Sequence, residues 1–295
     1  MKDNGKISSS SYVRVTEMNH IVEVQHMERM NRSNNIRKLD KDTYLNISTG
    51  EVLEFKQSEV RSESFNSLRQ TFKKMRYLIN ANFLGAGNEL HITLTYHKNM
   101  TDRKVLYTDF DKFMKKFRYK YGKEYGSIDY MTIVEPQERG AWHHHLLIRF
   151  NDCVGQSIYV PPNAVAEMWG HGFIKIKSLR GVDNIGAYLS AYLADVELKE
   201  DTDIQKLDGG IEVKTVEVDG QKKKFIKGGR LHYYPSGMNL YRKSKGIVMP
   251  ERKDMVYSDI KKIVGSAKPH YTKTIVVEQD DFKNVITYEQ YNTKR

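Results

Sequence analysis

The stretch Glu135 to Phe150, EPQERGAWHHHLLIRF, places a carboxylate eight and ten residues before two histidines that are themselves one residue apart. Side chains alternate between the faces of a β-strand. On a strand, His143 and His145 therefore share one face, and Trp142, His144, Leu146, Ile148 and Phe150 share the other. Two imidazoles on one strand and Glu135 on its neighbour make a three-ligand site of nitrogen and oxygen with open coordination positions. Open positions point to catalysis. This ligand mix suits Mn²⁺, or Mg²⁺ when phosphate oxygens complete the shell. His144 falls on the apolar face and is expected to be a hydrogen-bonded core histidine.

Tyr188 and Tyr192 stand four residues apart, which on a helix makes them neighbours on one face. Tyrosines on an amphipathic stripe ordinarily pack in the core or at its boundary. A metal site nearby changes their meaning: a phenol of pKa about 10 attacks phosphate poorly unless a cation polarises the phosphoryl oxygen.

Several elements must position these groups. Phe65, Leu68, Phe72, Met75 and Ile79 recur at helical spacing and predict a basic amphipathic helix over 61–83. Glu89 to Tyr96 alternates between Ile92, Leu94, Tyr96 and the polar set His91, Thr93, Thr95, as a strand with one polar face does. Thr108 and Asp111 resemble a capping box for a helix that carries Phe110, Phe113, Met114 and Phe117 and ends near Gly122. Strands are predicted at 128–135 and 142–150, joined by a turn-rich link, and another at 172–178. Asp183 is expected to cap the tyrosine helix, which runs to about Val196. Near the start, SerThrGly at 48–50 reads as a hairpin turn. This order predicts an α+β fold: an antiparallel β-sheet with packed helices, resembling a ferredoxin-like or RNA-recognition-type core, plus N- and C-terminal appendages. The expected division is an N-terminal β element over 1–58, a catalytic domain over 59–200, and a basic C-terminal region over 201–295 suited to binding DNA.

Composition narrows the partners. The 295 residues carry a formal net charge of +11, which favours a polyanion. Between Gln221 and Pro250 no acidic residue occurs, while Lys222, Lys223, Lys224, Arg242 and Lys243 are interleaved with Phe225, Tyr233, Tyr234 and Tyr241. Cations for phosphates and flat rings for bases are what a single-strand-binding surface needs. A single cysteine, Cys153, excludes an internal disulfide and a thiolate cluster within one chain. The sequence has no run of apolar residues long enough to span a bilayer, no signal-peptide core and no GxxxxGK[ST] phosphate loop, so a cytoplasmic protein without a membrane partner or helicase motor is expected.

ITLTY at 92–96, the 135–148 segment and YLSAY at 188–192 resemble, in that order, motifs of the HUH endonucleases, specifically the rolling-circle replication initiators of plasmids, phages and related mobile elements. The likeness is strongest over 60–196 and extends to SLRQTF and WGHGFIKIK. It implies that His143, His145 and Glu135 hold a divalent metal, Mg²⁺ or Mn²⁺. It also implies that Tyr188 or Tyr192 attacks single-stranded or hairpin origin DNA, leaving a 5′-phosphotyrosine and a free 3′-hydroxyl for the host helicase and DNA polymerase. Thr93, Thr95, Arg139 and the basic residues above are the expected DNA contacts. The lysine that commonly follows the family tyrosine by three residues is replaced here by Ala191 and Asp195, leaving Lys175, Lys177, Arg139 and Lys199 as alternative phosphate-orienting cations. Tyrosines placed after the histidines favour an initiator over a conjugative relaxase. A relaxase, a single-strand transposase, a hydrolase using activated water and a non-catalytic nucleic-acid-binding module are the other readings.

Overall fold

A computed structural model describes residues 6–29, 36–40, 42–54, 65–137, 140–194, 196–197, 213–218, 221–226, 234, 238–279 and 282–294. The fold is α+β, with antiparallel sheets and five α-helices among the described residues. It comprises two compact units, Met1–Glu59 with Pro250–Arg295, and Val60–Met249.

The first unit opens with the hairpin β1 (Tyr12–Met18) and β2 (Ile21–Met27), whose two-residue turn places Asn19 at φ 56°. Asparagine is among the few non-glycine residues that tolerate this region. β3 (Ile36–Lys38), β4 (Thr43–Asn46) and β5 (Val52–Glu54) form a small separate sheet. The predicted turn at 48–50 joins β4 to β5, with Gly50 at φ 74°.

The central unit begins with α1 (Phe65–Asn82), β6 (Glu89–Thr95) and α2 (Arg103–Tyr125). It continues with β7 (Ile128–Pro136), β8 (Trp142–Phe150), α3 (Pro162–Trp169) and β9 (Ile174–Ser178). α4 (Ile185–Ala194), β10 (Val196–Glu197), β11 (Val213–Val218), β12 (Gln221–Ile226) and β13 (Tyr241–Lys243) complete it. The main sheet has the order β13-β7-β8-β6-β9, with every neighbouring pair antiparallel. Strict alternation gives it two buried faces. Ile92, Leu94, Leu146 and Ile148 pack with Phe110, Phe113 and Phe117 of α2 and with Val165 and Trp169 of α3. On the other face Met131, Ile133 and Leu147 pack with Met75, Leu78 and Ile79 of α1 and with Ile185, Leu189 and Leu193 of α4. Each such side chain contributes about 1.5–3 kcal/mol by leaving water.

α2 corrects the capping-box reading. Its N-cap is Asp102, whose carboxylate accepts from the backbone N–H of Lys104 and Val105, so the helix starts a turn and a half before Thr108. Thr108 lies inside it and donates its hydroxyl to the Lys104 carbonyl at 2.9 Å. Gly122 is passed, and the helix stops at Tyr125, before Gly126 at φ 79°.

The chain then returns to the first unit. β14 (Arg252–Val256), α5 (Lys261–Val264), β15 (Pro269–Gln279) and β16 (Phe282–Asn292) follow, and the sheet order is β14-β1-β2-β16-β15. Residues beyond 250 thus complete the sheet begun by the first two strands, and β13 joins the central sheet, where the sequence suggested a single basic region over 201–295. The core of this unit brings Val13, Val15, Val22 and Val24 together with Ile260, Val264 and Tyr291. Among the described residues no helix is long and apolar enough to cross a membrane.

Candidate metal and nucleophile site

The hairpin of β7 and β8 sets the site. In its register Glu135 stands directly opposite His143, and Ile133 opposite His145. Directly opposed residues have Cβ atoms about 4.5–5.5 Å apart on one face. On the other flank of β8, β6 places Thr95 opposite His143 and Thr93 opposite His145. The five polar side chains, Glu135, His143, His145, Thr93 and Thr95, therefore share the face covered by α1 and α4.

His145 is buried between two partners. Its Nε2 lies 2.6 Å from Glu135 Oε2, and its Nδ1 lies 3.1 Å from Nε2 of His91. The two imidazoles stack with centroids 5.3 Å apart. Burial lowers the pKa of His145 to about 4. Burial, then the neighbouring His145, Lys177 and Lys175, lowers that of His91 to about 3. Both rings are neutral at pH 7, the state in which imidazole ligates a cation. Among the described residues no three His, Cys, Asp or Glu side chains converge closely enough to hold a metal ion. The pair His145 and Glu135 is in contact, and His143 stands beside it in the ladder, less buried than His145. This donor set, neutral nitrogen and carboxylate, fits a divalent cation.

His144 lies on the opposite face, fully buried, with Nδ1 3.1 Å from Thr132 Oγ1 and its ring stacked on Phe110 at 4.7 Å. It is a core histidine, as its place in the alternation predicted.

α4 reaches the site face through a cap at Asn184, in place of the expected Asp183. The Asn184 carboxamide oxygen accepts from the Ala187 N–H at 3.0 Å and from Asn80 Nδ2 of α1 at 3.0 Å. Asn80 Oδ1 in turn accepts from the Gly186 N–H at 2.8 Å. Gly186 allows this approach, since a Cβ there would meet Asn80 Oδ1 at 2.7 Å and the Arg76 carbonyl oxygen at 3.0 Å. Tyr188 follows, half-buried against the core that contains Leu147 and Ile133. Tyr192 lies one turn further along the same helix. The helix ends at Ala194 because β10 begins at Val196, and the buried Tyr234 donates to the Leu193 carbonyl at 2.9 Å.

The expected DNA contacts fall in different places. Arg242 is opposite Thr132 and hence on the His144 face, where it pairs with Asp111 at 2.8 Å and lies over the Tyr107 ring at 5.6 Å. Lys243 donates to the Ile247 carbonyl at 2.6 Å. Lys222, Lys223 and Lys224 are on β12, opposite Glu217, Val216 and Thr215 of β11. Arg139 and Lys199 lie outside the described residues. Lys175 and Lys177 are on β9, in register with Thr93 and His91. His91 is the residue that the sequence reading left without a role. The alternation of 89–96 already put it on the polar face, but its contact with His145 depends on β6 lying beside β8.

No curated protein and no solved structure matches the chain. Residues 89–197, which run from β6 through the tyrosine helix and contain every element of this site except α1, match the family model for replication-associated proteins of the ORF2 group, consistent with a rolling-circle replication initiator of mobile elements.

Proposed function

We propose that this protein starts rolling-circle replication by nicking and rejoining single-stranded origin DNA, with Tyr188 or Tyr192 as the nucleophile and His143, His145 and Glu135 holding a divalent cation, Mg²⁺ or Mn²⁺. The observation that supports this reading is that α4 packs on the sheet face that carries those three residues, with Leu189 and Leu193 in one cluster with Leu147 and Ile133. Tyrosine and donor set therefore belong to one face of one sheet.

When bound, the cation would polarise the phosphoryl oxygen and orient the scissile group in line. The tyrosine oxygen forms a bond to phosphorus and the bond to the 3′ oxygen breaks. The phenol gives up a proton and the departing 3′-hydroxyl gains one. The product is a 5′-phosphotyrosine ester, which keeps the bond energy, so rejoining by another 3′-hydroxyl needs no ATP. The free 3′ end would serve a host DNA polymerase behind a host helicase.

The test is incubation of the protein and Mn²⁺ with 5′- and 3′-labelled single-stranded oligonucleotides from the candidate origin, resolved on denaturing gels. The expected result is a protein band carrying the DNA downstream of the nick, lost with EDTA and in a Tyr188→Phe/Tyr192→Phe double variant. Cleavage without covalent protein would make water the nucleophile. Binding without cleavage would favour a non-catalytic DNA-binding module, the reading suited to a donor set in which only His145 and Glu135 touch.

A further inference from the structure

The outer strand β9 carries a feature that the nicking chemistry leaves unused. In the described sheet β9 pairs on one side only, with β6. Ile174 and Ile176 pack against the α2 and α3 core, so Phe173, Lys175 and Lys177 alternate onto the opposite face. That is the face of the histidines: Lys175 is opposite Thr93, which is opposite His145, and the Thr95 N–H donates to the Phe173 carbonyl at 2.9 Å.

Phe173 is 70% exposed although its backbone is locked in the sheet. The preceding Gly172 lies so close to β6 that a Cβ would meet the Thr95 carbonyl oxygen at 2.2 Å and the His97 nitrogen at 2.7 Å. On its flank the His97 ring stands edge-on at 4.7 Å. A large apolar ring held rigidly in water has no packing role here. Lys175 is also exposed, and His171 to Ser178 contains no acidic residue. Residues two apart on a strand are about 6.6–6.8 Å apart, of the order of one nucleotide step in an extended single strand. Aromatic faces beside lysines bind single strands by stacking bases and neutralising phosphates.

We propose that β9 is the edge along which the single strand lies, with the Phe173 ring as the stacking platform for one base and the Lys175 ammonium as the partner of a phosphate beside it. This rests on the reading of the protein as acting on single-stranded DNA, and it assigns the surface that holds the strand next to the metal and tyrosine residues. Both side chains are exposed, so replacing them leaves the core intact.

The experiment measures binding in EDTA, which separates it from nicking. The probe is a fluorescein-labelled single-stranded oligonucleotide read by anisotropy across a salt series, with a second oligonucleotide carrying 2-aminopurine to report stacking. Phe173→Ala is expected to weaken binding roughly 10- to 100-fold and abolish the 2-aminopurine quench, while Phe173→Trp keeps both. Lys175→Gln is expected to keep the quench and make the slope of log K against log salt shallower by about 0.7. Wild-type affinity, quench and slope in Phe173→Ala and Lys175→Gln would overturn the assignment even if the wild-type protein nicks. Failure of the wild-type protein to bind single strands in EDTA would overturn it as well. Binding that follows the expected pattern without any nicking in Mn²⁺ would leave β9 as the binding edge and remove the nuclease reading alone.

Discussion

His91 Nε2 stands 3.1 Å from Nδ1 of His145, while the other nitrogen of His145 faces Glu135 at 2.6 Å. A neutral imidazole carries one proton. With that proton on Nε2, His145 donates to Glu135 and accepts from His91. With it on Nδ1, His145 donates to His91 and its Nε2 is left as a ligand. His91 can serve either arrangement, because its own neutral ring also has two tautomers. It is thus placed as the outer partner that ligating histidines require.

His91→Leu is expected to weaken Mn²⁺ binding by about 10- to 100-fold, whereas His91→Gln, which keeps a donor and an acceptor, should stay within a few-fold of wild type. Calorimetric titration of the DNA-free protein with Mn²⁺ measures this without any nicking assay. Equal Mn²⁺ affinity in His91→Leu and the wild-type protein would dismiss the role.

Gly186→Ala is expected to separate position from metal binding. The new methyl would meet the Arg76 backbone oxygen at 3.0 Å and the Asn80 carboxamide at 2.7 Å, so α4 must shift away from α1. The variant should lose about 1–3 kcal/mol of stability, the usual cost of overpacking. It should also lose most covalent attachment to DNA while Mn²⁺ affinity holds. Denaturant melts and the gel assay read the two effects.

Glu89 is buried where α1 turns into β6, and its carboxylate accepts from the N–H groups of Leu84, Gly85 and Ala86 at 2.8–3.1 Å. Burial raises its pKa even against those bonds. The same turn is tied to the approach to α4, where the Gly181 N–H donates to the Gly85 carbonyl at 3.0 Å. Glu89→Ala strands three amides, and a loss of about 2–4 kcal/mol is expected in urea unfolding.

Tyr96, buried and 3.3 Å from the Asp109 carboxylate, has its pKa raised by burial and then by that charge. A phenol whose folded pKa exceeds its unfolded value of about 10 contributes stability fully present below pH 10 and lost as pH rises through the folded pKa. The wild-type protein should therefore lose stability more steeply above pH 10 than Tyr96→Phe. At pH 7 the variant should be weaker by about 1 kcal/mol for the lost hydrogen bond. Urea midpoints at pH 7, 10 and 11 check both limbs.

What could be read in the sequence was what depends on short-range periodicity. Period two placed His143 and His145 together and His144 in the core, and period 3.6 found α1 and the tyrosine helix. The pairing of His91 with His145 was not legible, because it depends on which of four strands lies beside β8. The start of α2 was missed because Arg103 and Lys104 gave its first turn no apolar stripe, and Asp102 signalled only itself. β15 and β16 were missed for a different reason. The inward positions of β16 include Asn284, Thr287, Glu289 and Asn292, so burial there does not follow hydrophobicity. β15, at the edge, exposes Ile275, Val276 and Val277 in succession and has no alternation to read. Arg242 and Lys243 looked like a nucleic-acid surface from charge alone, and the ion pair with Asp111 and the bond to Ile247 that employ them are long-range contacts.

β2 pairs with β16 across a stretch of sequence that includes the whole central unit, Met27 with Ile286 and Ile21 with Asn292. On a ribosome adding about 5–20 residues per second, Ile286 is made roughly 13–50 s after Met27, the time to translate the intervening 286 − 27 = 259 positions. The first hairpin waits for that interval as a two-stranded ribbon, marginal by itself, with both outer edges open. The sheet between Glu89 and Lys243 has all its strands by the time Pro250 is added. The growing polypeptide thus carries a finished replication domain before its own two ends have met.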